Sequence, residues 1–488
     1  MSVDVERQTA QPESDRVWSI ETHGIDPIPD ADRHGEPREL FWIWAAANIA
    51  ILGVAYGGFL VTWYGLNLWQ GIVVALVGTS LSFLLVGFIS LAGKIAGAPT
   101  LVLSRAAFGV VGNAIPTVVS WIALVGWEII LVALATLSVE AILDRLGVAT
   151  GNVVTGIAFA VIAGITILIG LLGHATIVKI QTWFTYAFAV LTVLFIALEL
   201  GQIEWSKVTA LPTASPAWFI GGLSVVMAGL GIGWVNTGAD YSRYLPHTVG
   251  SREVVWWTTF GASLPPIILI VFGVLLAANN PNIANSLNPI AVLGRDLPTW
   301  FLVPYLLTAV GGLVAGALLD IYSSGLNLLT LGVRIPRYQS VAFDGTLMII
   351  GNIYILFFAR SFFPPFQGFL VTLGVLLAAW SAIFLVDLWR YRWRHGYAER
   401  ELYDARGRYG SWNLAGVVSF LVAAVVGLGL VTSTAKVFSW AGYLLSLVGG
   451  KDGAVAASSI GLFIAFFVAG LLYAILSPVL SPERRSVR

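Results

Sequence analysis

The stretch WFIGGLSVVMAGLGIGWVNTGAD, residues 218–240, decides the fold. It is apolar and long enough to cross a bilayer of roughly 30 Å as a helix. Yet Gly229, Gly231 and Gly233 fall at alternate positions in its middle, and Gly238 follows. Such glycines either let a neighbouring helix approach closely or mark an unwound turn whose freed backbone groups line a site. Trp234 and the polar pair Asn236–Thr237 come directly after them. Close packing alone does not call for those residues, so the pattern favours an interrupted membrane helix.

The rest of the chain supplies the setting. Of its 488 residues, 58% are hydrophobic and only 11% charged, which is not a soluble composition. Apolar runs of about 20 residues recur from Phe41 to Leu476. They lack the alternation of barrel strands and so read as helices. Twelve spans are expected, at 40–64, 69–93, 113–143, 152–172, 180–200, 217–240, 255–279, 301–333, 341–359, 364–388, 413–432 and 455–476. An even count puts both termini on one side. With the N-terminus inside, twenty of the 26 Lys and Arg fall in inner segments, so both termini are expected in the cytoplasm.

Segments 1–39 and 477–488 then read as cytoplasmic tails. The first is polar, without the order of a secretory signal; it is expected to be disordered, the alternative being a gate or regulatory segment. The basic segment RYRWRHGYAERELYDARGRYGSWN, Arg390 to Asn413, divides ten spans from the last two. Its default role is a loop near anionic lipid. The expected divisions are 40–200 and 217–388 for two five-helix units, 389–412 for the loop and 413–476 for two additional helices. A net charge of zero implies no nucleic-acid partner, and the absence of cysteine excludes disulfides and thiol chemistry.

Two carboxylates lie deep in apolar runs: Glu128 in the third span and Asp320 in the eighth. Each costs roughly 3 kcal/mol or more at membrane depth, so each is a candidate functional group. Glu128 follows Trp127. An indole can stack on a flat, nitrogen-rich ring while a carboxylate accepts from its N–H donors; the alternative is a core Trp and a Glu with a fixed partner. Asp320, Ser323, Ser324 and Asn327 share one helix face. Either they tie helices together or they line a cavity, where hydroxyl and carbonyl oxygens suit a hard cation such as Na⁺. Desolvation also makes either acid a candidate proton carrier. In the first span, AAANIAILGVAYGG (45–58) places Asn48 among small residues, and packing and unwinding are equally open there.

Several stretches resemble the nucleobase–cation symporter family, purine–cytosine permease branch. They are LSRAAFGVVGN (103–113), GWE (126–128), GWVNTGADYSRYLP (233–246), DIYSSGLNLLTLG (320–332) and FDG (343–345). The resemblance implies an all-α membrane protein of about twelve transmembrane helices, with a LeuT-type 5+5 inverted repeat and two extra helices. It implies a heterocycle held between Trp127 and Trp234, with Glu128, Asp320, Gly231, Asn48 and Asn327 as further substrate contacts. It also implies a cation between the carbonyls of Ala47 and Ile51 and the hydroxyls of Ser323 and Ser324, Na⁺ or H⁺ being the coupling ion and no other cofactor needed. Two positions depart from the family pattern. Leu131 stands where relatives carry an amide, and Asp320 where a small residue or Asn is usual. Asp240 and Arg243 read as a local cap or ion pair ordering the loop, the alternative being a role in gating.

The expected function is therefore a secondary transporter in the cytoplasmic membrane, importing a cytosine- or purine-type nucleobase with a cation by alternating access. The alternative is another small heterocycle: allantoin, hydantoin, uracil or a pyridine-type vitamin. A channel would favour a continuous polar path, and an embedded enzyme would need a metal or nucleophile cluster that the apolar runs do not contain.

Overall fold

In the computed structural model, residues 16–148, 150–285, 292–295, 297–359, 363–433 and 435–485 are described. The start of the N-terminal tail (1–15) and the end of the C-terminal tail (486–488) lie outside them. The described chain is all-helical. The first span is two helices, α1 (Glu39–Asn48) and α2 (Leu52–Thr62), bent by 55°. Then come α3 (Leu68–Ala96), α4 (Ala114–Arg145), α5 (Asn152–Leu172) and α6 (His174–Leu200). The sixth span is α7 (Pro216–Gly229) and α8 (Gly231–Trp234), followed by α9 (Ser251–Asn279), α10 (Leu302–Thr330) and α11 (Arg337–Phe357). Last are α12 (Phe363–Asp387), α13 (Leu414–Leu428) and α14 (Gly461–Leu480), with a terminal turn α15 (Pro482–Arg485).

Ten of these spans are long and apolar enough to cross a membrane, and the bent α1–α2 pair makes an eleventh. The expected span at 413–432 is the apolar but shorter α13. The expected span at 455–476 begins later, because Ser459 takes a left-handed φ of 45° and separates Ala454–Ser458 from α14.

Both interruptions have visible causes. Ile49 leaves the helical region at ψ 49°, and the break nests against Gly312 of α10, where a Cβ would collide with the Ile49 carbonyl oxygen. In the sixth span the helix breaks at Leu230, φ −114° and ψ −109°. The alternate glycines around it admit three different neighbours. A Cβ on Gly229 would meet the Tyr56 hydroxyl, one on Gly231 the backbone of Ser82–Phe83, and one on Gly233 would stand 3.5 Å from the Trp127 indole nitrogen. Packing and unwinding are thus one feature here. The small residues let α2, α3 and α4 close on a span that is broken at that point.

The N-terminal segment differs from its expectation. Residues from Trp18 to Arg38 form a strap across one end of the helices. Ile28 N–H donates to the Gly97 carbonyl, and the Arg33 guanidinium to that of Lys94, at 2.9 and 2.8 Å. Tyr403 from the 390–413 segment donates to the Ile25 carbonyl. A segment too polar to make its own core is ordered by the helix ends it covers.

Candidate functional site

The two breaks face each other across a small cavity of 50 Å³. Ala47, Asn48 and Ala50 line it from the first break, Gly229, Leu230 and Trp234 from the second, and Trp127 and Leu131 from α4. Tyr56 completes the wall; its buried hydroxyl has no hydrogen-bond partner among the described residues. The rings are held from behind. Trp44 meets Trp234 edge-on with centroids 5.6 Å apart, and Phe366 and Phe369 meet Trp127 in the same way at 5.8 and 5.9 Å. Asn48 spends its amide N–H on the Trp44 carbonyl at 2.8 Å.

Glu128 does not share this cavity with its neighbour Trp127. Adjacent helical positions point about 100° apart, and Glu128 turns instead to α10, where the Ser324 hydroxyl donates to it at 2.6 Å. Its partner is thus a hydroxyl; its second oxygen has none among the described residues. Asp320 is fully buried, with no partner for either oxygen among the described residues. A third acid joins them. Asp344 of α11, the Asp of the FDG stretch, accepts from the Trp121 indole N–H at 2.8 Å and interacts electrostatically with Glu128. Among the described residues Ser324 bonds only one of these carboxylates, Glu128, its other contact being the Ile321 carbonyl at 3.3 Å, and Asp320 lies one turn before it on the same helix.

The other expected residues separate as follows. Ser323 lies 3.0 Å from the Tyr241 hydroxyl. Asn327 donates to Ser120 at 2.6 Å, and Asn236 of the sixth span donates to the same oxygen at 2.7 Å, tying α10 and the sixth span to α4. The Ala47 carbonyl faces Gly316 of α10. The Ile51 side chain lines a different small cavity, with Phe195, Phe301 and Tyr305. Gly231 packs on the α3 backbone, away from the aromatic cavity. The α10 polar stripe is thus split: Ser324 and Asp320 join an acidic group, and Asn327 joins a bracing network.

Asp240 and Arg243 do not form the local pair expected of them. Asp240 accepts from the Thr100 N–H and hydroxyl at 2.7 and 2.8 Å. Arg243 reaches the strap and pairs with Glu21 at 2.9 Å, both side chains being fully buried. Glu21 also accepts from the Tyr244 hydroxyl at 2.5 Å, the Tyr322 hydroxyl at 3.1 Å and the His174 N–H at 2.8 Å, and lies 3.6 Å from Arg337. One carboxylate thus joins the strap to the ends of the sixth span, α6, α10 and α11. Sequence reading missed Glu21 because a Glu in a polar tail carries no local signal. Asp344 was closer to hand, an acid inside a helix-length segment and part of a quoted motif.

Two apolar helices broken part-way along, with the breaks facing across an aromatic cavity, are the mark of a secondary transporter. Known proteins agree. Residues 27–449 match the family described as permease for cytosine/purines, uracil, thiamine, allantoin. The chain belongs to this nucleobase–cation symporter family, whose members are transporters and not enzymes. It is 25% identical over 454 residues to YxlA of Bacillus subtilis (strain 168), provisionally named a purine-cytosine permease, covering 89% of this chain and 92% of that one. It is 23% identical to the purine-cytosine permease FCY2 of Saccharomyces cerevisiae over 503 residues, covering 94% and 86%. Its fold matches that of Mhp1, a nucleobase-cation-symport-1 family transporter solved in a closed conformation with bromovinylhydantoin bound. There the TM-score is 0.72 at 16% identity, covering 95% of this chain and 98% of that one. A Na⁺-coupled sialic acid symporter is a more distant match, with a TM-score of 0.54 at 10% identity over 91% and 98% of the two chains. The fold is accordingly LeuT-type, in an integral membrane protein.

Proposed function

We propose that the protein imports a cytosine- or purine-type nucleobase across the cytoplasmic membrane by alternating access, coupled to protons. The two five-helix units are 40–200 and 217–388, and the strap lies on the cytoplasmic side. The heterocycle sits between Trp127 and Trp234, with Asn48 and Tyr56 offering polar contacts. A flat ring fits between two indoles on both apolar and electrostatic grounds. The cavity of 50 Å³ is well below the roughly 300 Å³ at which ligand pockets begin. A substrate therefore enters only when the helix breaks, or the indoles on them, move apart.

The observation that carries proton coupling is the grouping of the buried acids Asp344 and Asp320 near Glu128, which interacts electrostatically with both. Three buried carboxylates are tolerable only if neutralised, by protons or by a bound cation. No Lys or Arg is hydrogen-bonded or ion-paired to any of them among the described residues. The hydroxyls that a Na⁺ site would use are engaged, Ser324 with Glu128 and Ser323 with Tyr241. A Na⁺ reading keeps one support, since Asp320 has two oxygens without partners and the Ala47 carbonyl faces the preceding turn of α10.

Stabilisation of the purified protein by ligands tests the substrate class, because a ligand that binds the native state raises its melting temperature by mass action. Cytosine, adenine, hypoxanthine, uracil, allantoin and a hydantoin are compared at pH 5.5 and 8, with and without Na⁺. A shift with cytosine or a purine, larger at the lower pH and indifferent to Na⁺, is expected. A shift confined to allantoin or hydantoin would move the substrate class, and dependence on Na⁺ would replace the proton.

A further inference from the structure

An apolar groove of about 760 Å³ opens on the outside of the helix bundle, between α3, the end of α12 and α14. Leu85 and Phe88 form one wall, Leu385 and Trp389 the floor, and Phe467 and Leu471 the other wall. At the strap end the apolar lining stops. It gives way to a polar recess of 330 Å³ formed by Trp389, Arg390, Trp393, Arg394 and His395. The change occurs where α12 runs into a π-helical turn, Leu388–Arg392. That turn presents Trp389 and Arg390 outward and keeps Arg392 buried, bonded to Asp387 and Glu483.

The cations at this end differ in what they do. Arg392 and Arg408 are consumed by carboxylates. Arg390 and Arg394 are exposed, and among the described residues neither is ion-paired; Arg390 makes one bond, to the Ala474 carbonyl at 2.6 Å. Trp389 and Trp393 are exposed beside them, their rings 5.0 Å apart. Exposed indoles next to arginines mark the level of lipid headgroups. An apolar crevice that ends in paired arginines at that level has the two-part chemistry of a phospholipid: acyl chain below, phosphate above.

We propose that the groove is a binding site for one anionic phospholipid, with an acyl chain between α3 and α14 and the headgroup phosphate on Arg390 and Arg394. The lipid joins the additional helix α14 to α3 and α12, and so supports the docking of the extra helices on the transport unit. A second copy of the chain is a poorer occupant. A two-fold contact through this face brings the same arginines toward each other. The direction of the charge agrees with the strap side being cytoplasmic, where anionic lipid and inner Lys and Arg meet.

The test is native mass spectrometry and thermal stability of the full-length protein in detergent. The probes are phosphatidylglycerol, phosphatidylcholine with the same chains, and glycerol 3-phosphate. Phosphatidylglycerol should bind and stabilise, phosphatidylcholine at least ten-fold less well, and glycerol 3-phosphate not at all. Arg390→Gln and Arg394→Gln should each weaken phosphatidylglycerol about five-fold, as expected for loss of one cation at the lipid surface. Arg394→Gln leaves the Arg390 bond to the Ala474 carbonyl in place, so it reads lipid binding without touching the α14 contact that Arg390→Gln removes. Gly470→Leu, which fills the crevice, should remove binding with both arginines intact. Equal binding of the two lipids, binding unchanged in the double arginine variant, stabilisation by glycerol 3-phosphate alone, or a dimer disrupted by Gly470→Leu would each overturn the proposal.

Discussion

At the scale of single residues, neighbours in sequence have separate tasks. Trp127 faces the aromatic cavity and Glu128 faces α10, because one helical step rotates the side chain by about 100°. Their substitutions should therefore fail differently. Trp127→Ala should weaken binding of an aromatic heterocycle by about ten-fold, the worth of roughly 1–1.5 kcal/mol of ring contact, and Trp127→Phe should recover most of it; isothermal binding to purified protein measures both. Glu128→Gln should leave ring binding within a few-fold but reduce its dependence on pH, since the carboxyl bonded to Ser324 can then no longer release a proton while Asp344 and Asp320 still can. Binding that weakens equally at pH 5.5 and 8, with its pH dependence preserved, would place Glu128 in substrate contact instead. The sequence showed Glu128 and Asp320 as costly and so functional, but not that Asp344 joins them. That association depends on where α11 packs, which a single sequence does not state.

At the scale of elements, the sixth-span interruption was legible because three glycines at alternate positions and a following Trp–Val–Asn–Thr cannot be accounted for by a plain helix. The first-span break was less so, since its main cause, the close approach of Gly312, lies on another helix. The strap was not legible at all. Its composition is that of a disordered tail, and its order comes from arginines and tyrosines of the sixth span, α10 and α11 converging on Glu21. Breaking a buried pair by removing one partner costs about 3–5 kcal/mol, so Glu21→Gln should release the strap. The chain has no cysteine, and a single Ser120→Cys therefore reports access to the interior. Labelling by a thiol reagent from the strap side should rise at least ten-fold in the Glu21→Gln background; unchanged labelling would mean the strap does not close that side.

The C-terminal turn α15 offers a pH-dependent contact. Burial works to raise the Glu483 carboxyl, but hydrogen bonds and charge from Arg392 and Arg408 outweigh it and hold it below its ordinary value. A carboxyl with a depressed folded-state value contributes stability above its unfolded value, about 4.3, and loses it as pH falls through the folded one. Glu483→Gln should thus lower the melting temperature at pH 7, and the difference from the unaltered protein should shrink below about pH 4. A difference that stays constant with pH would mean that packing of α15, and not the ion pair, carries the effect.

At the scale of the whole molecule, the strap lies across one end, the aromatic cavity lies between the two helix breaks, and the buried acids are carried on α4, α10 and α11. α10 links them, because it carries Ser324 to Glu128, Tyr322 to Glu21 and Gly312 to the first break. A change in the charge of the acidic group therefore acts on the helix that also meets the strap and the break, which is how a coupling ion can bias which side is open. The spans and the transport class could be read from the sequence because hydropathy, positive-inside bias and interrupted helices are local signals. The division of labour along the polar face of α10 could not, because it is set by which neighbour each turn meets.

The central claim is that protons bound at Glu128, Asp344 and Asp320 drive nucleobase entry, and it is tested most directly by uptake of labelled cytosine and adenine into liposomes containing the purified protein. With an inward proton gradient and no Na⁺, one of the two should accumulate above its external concentration. Collapse of the gradient by a protonophore should abolish that accumulation, and Glu128→Gln should retain exchange without accumulation. Accumulation that needs a Na⁺ gradient and ignores the proton gradient, or that survives intact in Glu128→Gln, would contradict the account.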